Sequence, residues 1–147
     1  MAIVIDTISD SVEYTIDLAG RFSKELGAGD VVCLFGVLGS GKTSFVKGIA
    51  RGLNCLTDAK SPSYSLINEY PGKVPLIHID FYRIDSIAEI EDLGWSDYLE
   101  SNTIICIEWP EKILNYLPHK RFDVFLEITD ESHRTIRIFK YNDIGNR

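Results

Sequence analysis

The residues best placed to do chemistry form three groups. The first is Gly36-Val37-Leu38-Gly39-Ser40-Gly41-Lys42-Thr43, which fits G-x-x-x-x-G-K-[ST] between an apolar run, Val31-Val32-Cys33-Leu34-Phe35, and a helix-like one, Ser44-Phe45-Val46-Lys47-Gly48-Ile49. Glycines at 36, 39 and 41 are expected to take positive φ and turn backbone N–H groups toward one point at a helix N-terminus, where the macrodipole also favours an anion. Lys42 offers an ammonium for β- and γ-phosphates. Thr43 offers a hydroxyl for Mg²⁺, which dehydrates reluctantly and takes few protein oxygens. The pattern points to triphosphate binding.

The second group is a pair of acids at strand ends. Asp80 closes Leu76-Ile77-His78-Ile79, and Glu108 closes Ile104-Ile105-Cys106-Ile107. A phosphate loop needs such a carboxylate to hold Mg²⁺, directly or through its waters, and to orient the attacking group. Either acid alone reads equally well as an ordinary strand-end residue. That both stand idle is disfavoured, because open α/β sheets gather ligands at the carboxyl ends of their strands. The third group, Ser61-Pro62-Ser63-Tyr64, lies where nucleotide enzymes often carry a switch segment, although on the residues alone a proline turn into a strand is the favoured reading. Trp109 reads as core before it reads as a ligand-facing ring, and Arg134 as a lone surface arginine before a phosphate contact. His78, His119 and His133 have no metal-ligand spacing and read as surface or satisfied residues.

These groups need elements to hold them. Ile3-Val4-Ile5 opens an edge strand, and Asp10-Ser11 offer N-cap oxygens to a helix with Val12, Ile16, Ala19, Phe22 and Leu26 on its apolar stripe, stopped at Gly27 and Gly29. That stripe reads as packing. Its first turn is a candidate for the nucleotide base by elimination. The loop helix is expected from Lys42 to about Leu53, strands over 64–70 and 76–80, and one or two short helices between Ile84 and Leu99 broken at Gly94. The run 103–108 is apolar almost throughout, as a central strand buried on both faces should be, and Pro110 stands at a helix N1 position. Phe122, Val124, Leu126 and Ile128 alternate with Asp123, Phe125 and Glu127 ahead of Asp130-Glu131-Ser132 and a last strand, which predicts a hairpin of two half-buried strands. The expected architecture is a three-layer α/β, P-loop NTPase-like fold with a mixed sheet and a C-terminal antiparallel hairpin.

The length of 147 residues fits one domain. No stretch approaches the roughly 18 consecutive apolar residues of a membrane span. The N-terminal residues lack the basic region of a secretory signal, so a cytoplasmic protein is expected. Cys33, Cys55 and Cys106 are odd in number and indicate neither a disulfide frame nor a zinc site. A net charge of −7 argues against unaided nucleic-acid binding, which needs clustered cations.

Taken together, Gly36 to Thr43, Ser61-Pro62-Ser63-Tyr64-Ser65-Leu66, His78-Ile79-Asp80-Phe81-Tyr82-Arg83 and Glu108-Trp109-Pro110-Glu111 resemble, in that order, the TsaE (YjeE) family of bacterial ATPases required for threonylcarbamoyladenosine formation in tRNA. The resemblance spans nearly the whole chain. It implies ATP held by Leu38, Gly39, Ser40, Gly41, Lys42 and Thr43, with Mg²⁺ on Thr43 and Glu108. Asp80 would be the second acid, acting on metal waters or the attacking water. Ser61 and Ser63 would belong to a switch segment, Trp109 would sit beside the site, Val12 would neighbour the base, and Arg134 would supply a basic contact. The family usually has Thr where this chain has Ser63, which keeps the hydroxyl and loses the β-branch. The implied partners are a TsaD–TsaB pair that modifies adenosine 37. The tRNA would be reached only through them, and ATP hydrolysis would reset that machine between turnovers.

Three other readings share the phosphate loop. A small-metabolite kinase usually closes an arginine-rich lid over the transferred phosphoryl, whereas Arg121, Arg134 and Arg137 are scattered along the terminal hairpin. A GTPase would need an N-K-x-D segment, which is lacking. A nucleotide-responsive assembly subunit with negligible turnover would share every motif of a slow ATPase.

Overall fold

The computed structural model describes residues 1–55 and 66–142. Seven strands form one sheet among them, in the order β1-β7-β6-β2-β5-β4-β3. These are β1 (Ala2–Ser9), β2 (Val31–Phe35), β3 (Ile67–Tyr70), β4 (Leu76–Asp80), β5 (Ile104–Glu108), β6 (Arg121–Ile128) and β7 (Arg134–Tyr141). The middle four, β6, β2, β5 and β4, run parallel. The flanks β7 and β3 are antiparallel to their inner neighbours, and β1 pairs antiparallel with β7 at the edge. The mixed sheet and C-terminal hairpin are as expected.

Parallel strands are covered on both faces, which is why β2 and β5 carry so few polar residues. On one face, α1 (Val12–Phe22) and α2 (Lys42–Gly52) pack Leu18, Phe22, Phe45 and Ile49 against Val32, Leu34, Cys106 and Val124. On the other, α3 (Ile87–Asp92), α4 (Trp95–Leu99) and a 3-10 turn (Pro110–Tyr116) pack Ile90, Trp95 and Ile113 against Cys33, Ile77, Ile79 and Ile105. Helices α1 and α2 approach closely because α2 presents glycine at the crossing. A Cβ on Gly48 would stand 2.2 Å from the carbonyl oxygen of Ile16.

Three local expectations are corrected. Helix α1 stops at Phe22 and tightens into a 3-10 turn, Ser23–Glu25, so Leu26 lies beyond it. Thr15 is buried where the stripe predicted Val12, which is exposed, because the Thr15 hydroxyl pairs with buried Ser9 at 2.7 Å. In β6, Asp123 is buried and Ile128 exposed. Arg121 satisfies the aspartate from the same face, and Ile128 is carried past the core at the hairpin tip.

Candidate functional site

Strand β2 ends at Phe35, and the next six residues turn the chain into α2 with its first residue at Lys42. Gly39 (φ 81°) and Gly41 (φ 106°) take left-handed conformations that a side chain would strain, as the spacing required. Gly36 does not adopt a positive φ. Its requirement is room: a Cβ there would meet Ser40 Oγ at 2.4 Å and the Leu126 carbonyl oxygen at 2.8 Å. Helix α2 starts on Gly41 with no side-chain cap, so the N–H groups of its first turn have no partner one turn earlier in the helix. Lys42, Thr43 and Ser44 of that turn line a cleft of about 790 Å³.

The sheet brings the acids to the same cleft. Asp80 and Glu108 are register partners at the carboxyl ends of adjacent parallel strands, and Leu34, one residue from the end of β2, is the partner of Glu108 on its other side. The Glu108 Oε2 accepts from Thr43 Oγ1 at 3.4 Å and from His78 Nε2 at 2.6 Å. Asp80 Oδ1 accepts the backbone N–H of Tyr82 at 2.9 Å. Burial pushes the Asp80 carboxyl above the usual carboxylate range; the Tyr82 N–H opposes this and the Glu108 charge adds to it.

Lys42 brings a buried cation to the cleft. It is 5% exposed, and its Nζ has no hydrogen-bond partner among the described residues. The ammonium rests instead on the Trp109 ring, 3.8 Å from its centroid, a cation–π contact inside a largely desolvated site. Burial pulls the Lys42 ammonium below its ordinary range, against the raising effect of Glu108, Glu111 and Asp80. Trp109 reaches this position from a left-handed backbone, φ 59°, uncommon for a bulky residue and costly enough to need support from its surroundings. The ring is therefore half-buried and cleft-lining, which corrects its reading as core. The Ser40 hydroxyl is a further buried polar atom lacking a partner among the described residues.

Arg134 lies in the cleft wall, yet its guanidinium already donates to backbone. Nη1 reaches the carbonyls of Asp130, His133 and Glu131 at 2.9, 3.0 and 3.4 Å, and Nη2 that of Gly39 at 3.2 Å. It ties the β6–β7 turn to the glycine loop, so it is neither a free surface arginine nor an unengaged phosphate ligand. Val12 and Leu38 also line the cleft, both exposed at its rim. Ser61 and Ser63 lie outside the described residues. The residue that sequence reasoning missed is His78. It is fully buried, and the signal was the alternation of β4, which puts His78 on the face of Asp80 and hence beside Glu108.

A helix N-terminus, a glycine loop and two strand-end carboxylates meeting at the carboxyl edge of a three-layer sheet define a P-loop NTPase-like α/β protein. Comparison with known proteins narrows the class. The family model described as "Threonylcarbamoyl adenosine biosynthesis protein TsaE" matches residues 9–136. A protein named tRNA threonylcarbamoyladenosine biosynthesis protein TsaE from Bacillus subtilis is 38% identical over 131 residues, covering 88% of this chain and 78% of the relative. Its namesake from Aquifex aeolicus is 36% identical over 145 residues, covering 95% and 99%. A crystal structure titled as YdiB of Bacillus subtilis superposes with a TM-score of 0.81 at 27% identity, covering 97% of this chain and 89% of that one. The chain belongs to the TsaE family.

Proposed function

We propose that this chain is an Mg²⁺-dependent ATPase that serves threonylcarbamoyl modification of adenosine 37 in tRNA, acting with a TsaD–TsaB pair and resetting it between turnovers. One observation carries the nucleotide reading: a buried ammonium, Lys42, without a hydrogen-bond partner among the described residues, at the uncapped start of α2 and beside the glycine loop. A buried cation left uncompensated costs stability, and a polyphosphate is the ligand whose charge and geometry would offset that cost. The family membership supports the pathway.

The donor set suits magnesium. Thr43, Glu108 and Asp80 offer hard oxygens from three elements, few enough for the ion to keep several waters. Thr43 and Glu108 would hold the metal, and Asp80 would act on its waters or on the attacking water. The bound ion would neutralise charge developing on the phosphate oxygens. Lys42 would leave the Trp109 ring for the β- and γ-phosphates, and the N–H groups from Gly39 to Thr43 would hold the phosphate chain. Val12 and its neighbours in the first turn of α1 would border the base. Arg134 would act mainly by holding Gly39 in place.

The kinase reading loses support, since the Arg121 guanidinium is engaged by Asp123 and Pro118 and that of Arg134 by backbone carbonyls, leaving neither poised for a transferred phosphoryl. The test is ATP hydrolysis by the purified chain, alone and with TsaD–TsaB, with and without Mg²⁺ and with no small-molecule acceptor. Metal-dependent phosphate release that rises with the partners is the expected result. No phosphate release in this assay, with label passing instead to a metabolite once one is added, would overturn it.

A further inference from the structure

The row Leu76, His78, Asp80 on β4 lies against Ile104, Cys106, Glu108 on β5, register partner to register partner. Leu76, Ile104 and Cys106 belong to the apolar core beneath α1 and α2, and His78, in the same row, is equally inaccessible to water. An imidazole is a costly choice there. A carboxylate has no proton to give, so Nε2–H is the donor in the 2.6 Å bond to Glu108 Oε2, formed along the cross-strand diagonal. The other ring nitrogen, Nδ1, is buried with no partner among the described residues. Packing alone would favour an aliphatic side chain at this position, since a half-satisfied polar ring loses the desolvation of one nitrogen without return. What the ring adds is a short, directional hold on one named oxygen of a side chain with three rotatable bonds.

We propose that His78 is a positioning residue that holds the Glu108 carboxylate, through Oε2, in the orientation that receives the metal with Thr43. The assignment rests on the metal reading above. It makes the site a relay of three elements, with the core strand β4 setting the angle of the acid on β5 that faces the hydroxyl on α2. Partners of this kind typically account for 10- to 100-fold in metal affinity.

The test uses the full chain with ADP and Mn²⁺ as the probe ion, its binding read by electron paramagnetic resonance, and ADP affinity in EDTA measured separately. Glutamine places its amide nitrogen the same number of bonds from Cα as Nε2, whereas asparagine matches only Nδ1 and falls short. His78→Leu and His78→Asn are expected to weaken Mn²⁺ binding about 10- to 100-fold while ADP affinity in EDTA stays within about threefold, and His78→Gln to retain Mn²⁺ affinity within about threefold. Wild-type Mn²⁺ affinity in folded His78→Leu or His78→Asn overturns the proposal. So does a parallel loss of ADP affinity in EDTA, which would mark His78 as packing only. If His78→Leu fails to fold, the glutamine–asparagine difference decides. Glu108→Gln separates the two levels: unchanged Mn²⁺ binding in that variant removes the metal reading itself, whereas lost binding there with no effect at His78 removes only this inference.

Discussion

Arg121 and Lys42 are both cations drawn into the interior of one sheet, and their surroundings are opposites. Arg121, on the hairpin, donates from Nε to Asp123 Oδ1 at 2.9 Å and from Nη2 to Oδ2 at 3.4 Å, gives Nη1 to the Pro118 carbonyl at 3.1 Å, and lies over the Tyr141 ring at 4.9 Å. Burial pushes the Asp123 carboxyl above the usual carboxylate range, against the lowering effect of the Arg121 hydrogen bond and charge. Lys42 has a ring face and three carboxylates, Glu108, Glu111 and Asp80, in its neighbourhood, and its Nζ has no hydrogen bond among the described residues. Where the chain needs only to fold, it closes the charge with a bidentate partner. At the proposed phosphate site it leaves the ammonium without a hydrogen bond among the described residues. The cost of the opening is held locally, by the strained Trp109 backbone and the core on either face.

This contrast can be broken by substitution, and the largest effect is expected at the open cation. Lys42→Met should weaken ATP binding, measured by calorimetry, by about 100-fold, near 3 kcal/mol. Wild-type affinity in that variant would place the phosphates elsewhere. Arg121→Met strands the buried Asp123 carboxylate and should cost about 3 kcal/mol in urea unfolding, while ATP affinity stays within about threefold. A neutral result would mean that Asp123 finds water or a proton at little cost. The same Lys42→Met substitution should stabilise the ligand-free chain by about 1 kcal/mol, because it removes a charge that folding desolvates. The sign follows from the direction of the shift: an ammonium whose pKa is lowered in the folded state disfavours folding while charged, and the penalty fades as pH rises through the folded pKa. Lys42→Met should therefore lose its advantage in alkaline solution.

The smallest effect is expected at Asp80. Its carboxyl is raised in the folded state, so its contribution to stability is greatest below the unfolded carboxylate pKa and is lost as pH rises through the folded one. Asp80→Asn should gain about 0.5 kcal/mol at neutral pH and nothing in acid. The acid limb of ATP hydrolysis should correspondingly sit above the usual carboxylate range. An acid limb within the ordinary range would detach Asp80 from turnover.

Much of the site was legible before any fold was known, because its central part is contiguous. Eight residues from Gly36 to Thr43 carry their own conformational requirements, and two of the three glycines stand in the left-handed region that those requirements name. The strand ends at Asp80 and Glu108 were readable from apolar runs stopped by an acid. Legibility failed where a side chain answers to a distant one. The stripe of α1 pointed to Val12, but Ser9 across the turn draws Thr15 inward. The alternation of β6 pointed Asp123 outward, but β6 is sandwiched between β2 and β7, and Arg121 closes over that face.

By itself, then, the amino-acid order determined a strand–glycine loop–helix unit, a mixed α/β sheet and two acids at strand ends, since each depends on neighbours within a few residues. Only the tertiary structure decided that Asp80 and Glu108 are register partners, that His78 grips the second of them, that Lys42 lies on Trp109, and that Arg134 is occupied with Gly39. Those pairings join residues 28 to 95 positions apart, from Asp80 with Glu108 to Gly39 with Arg134. Strand order and register set such distances, and they follow from how whole faces pack, which no local pattern encodes.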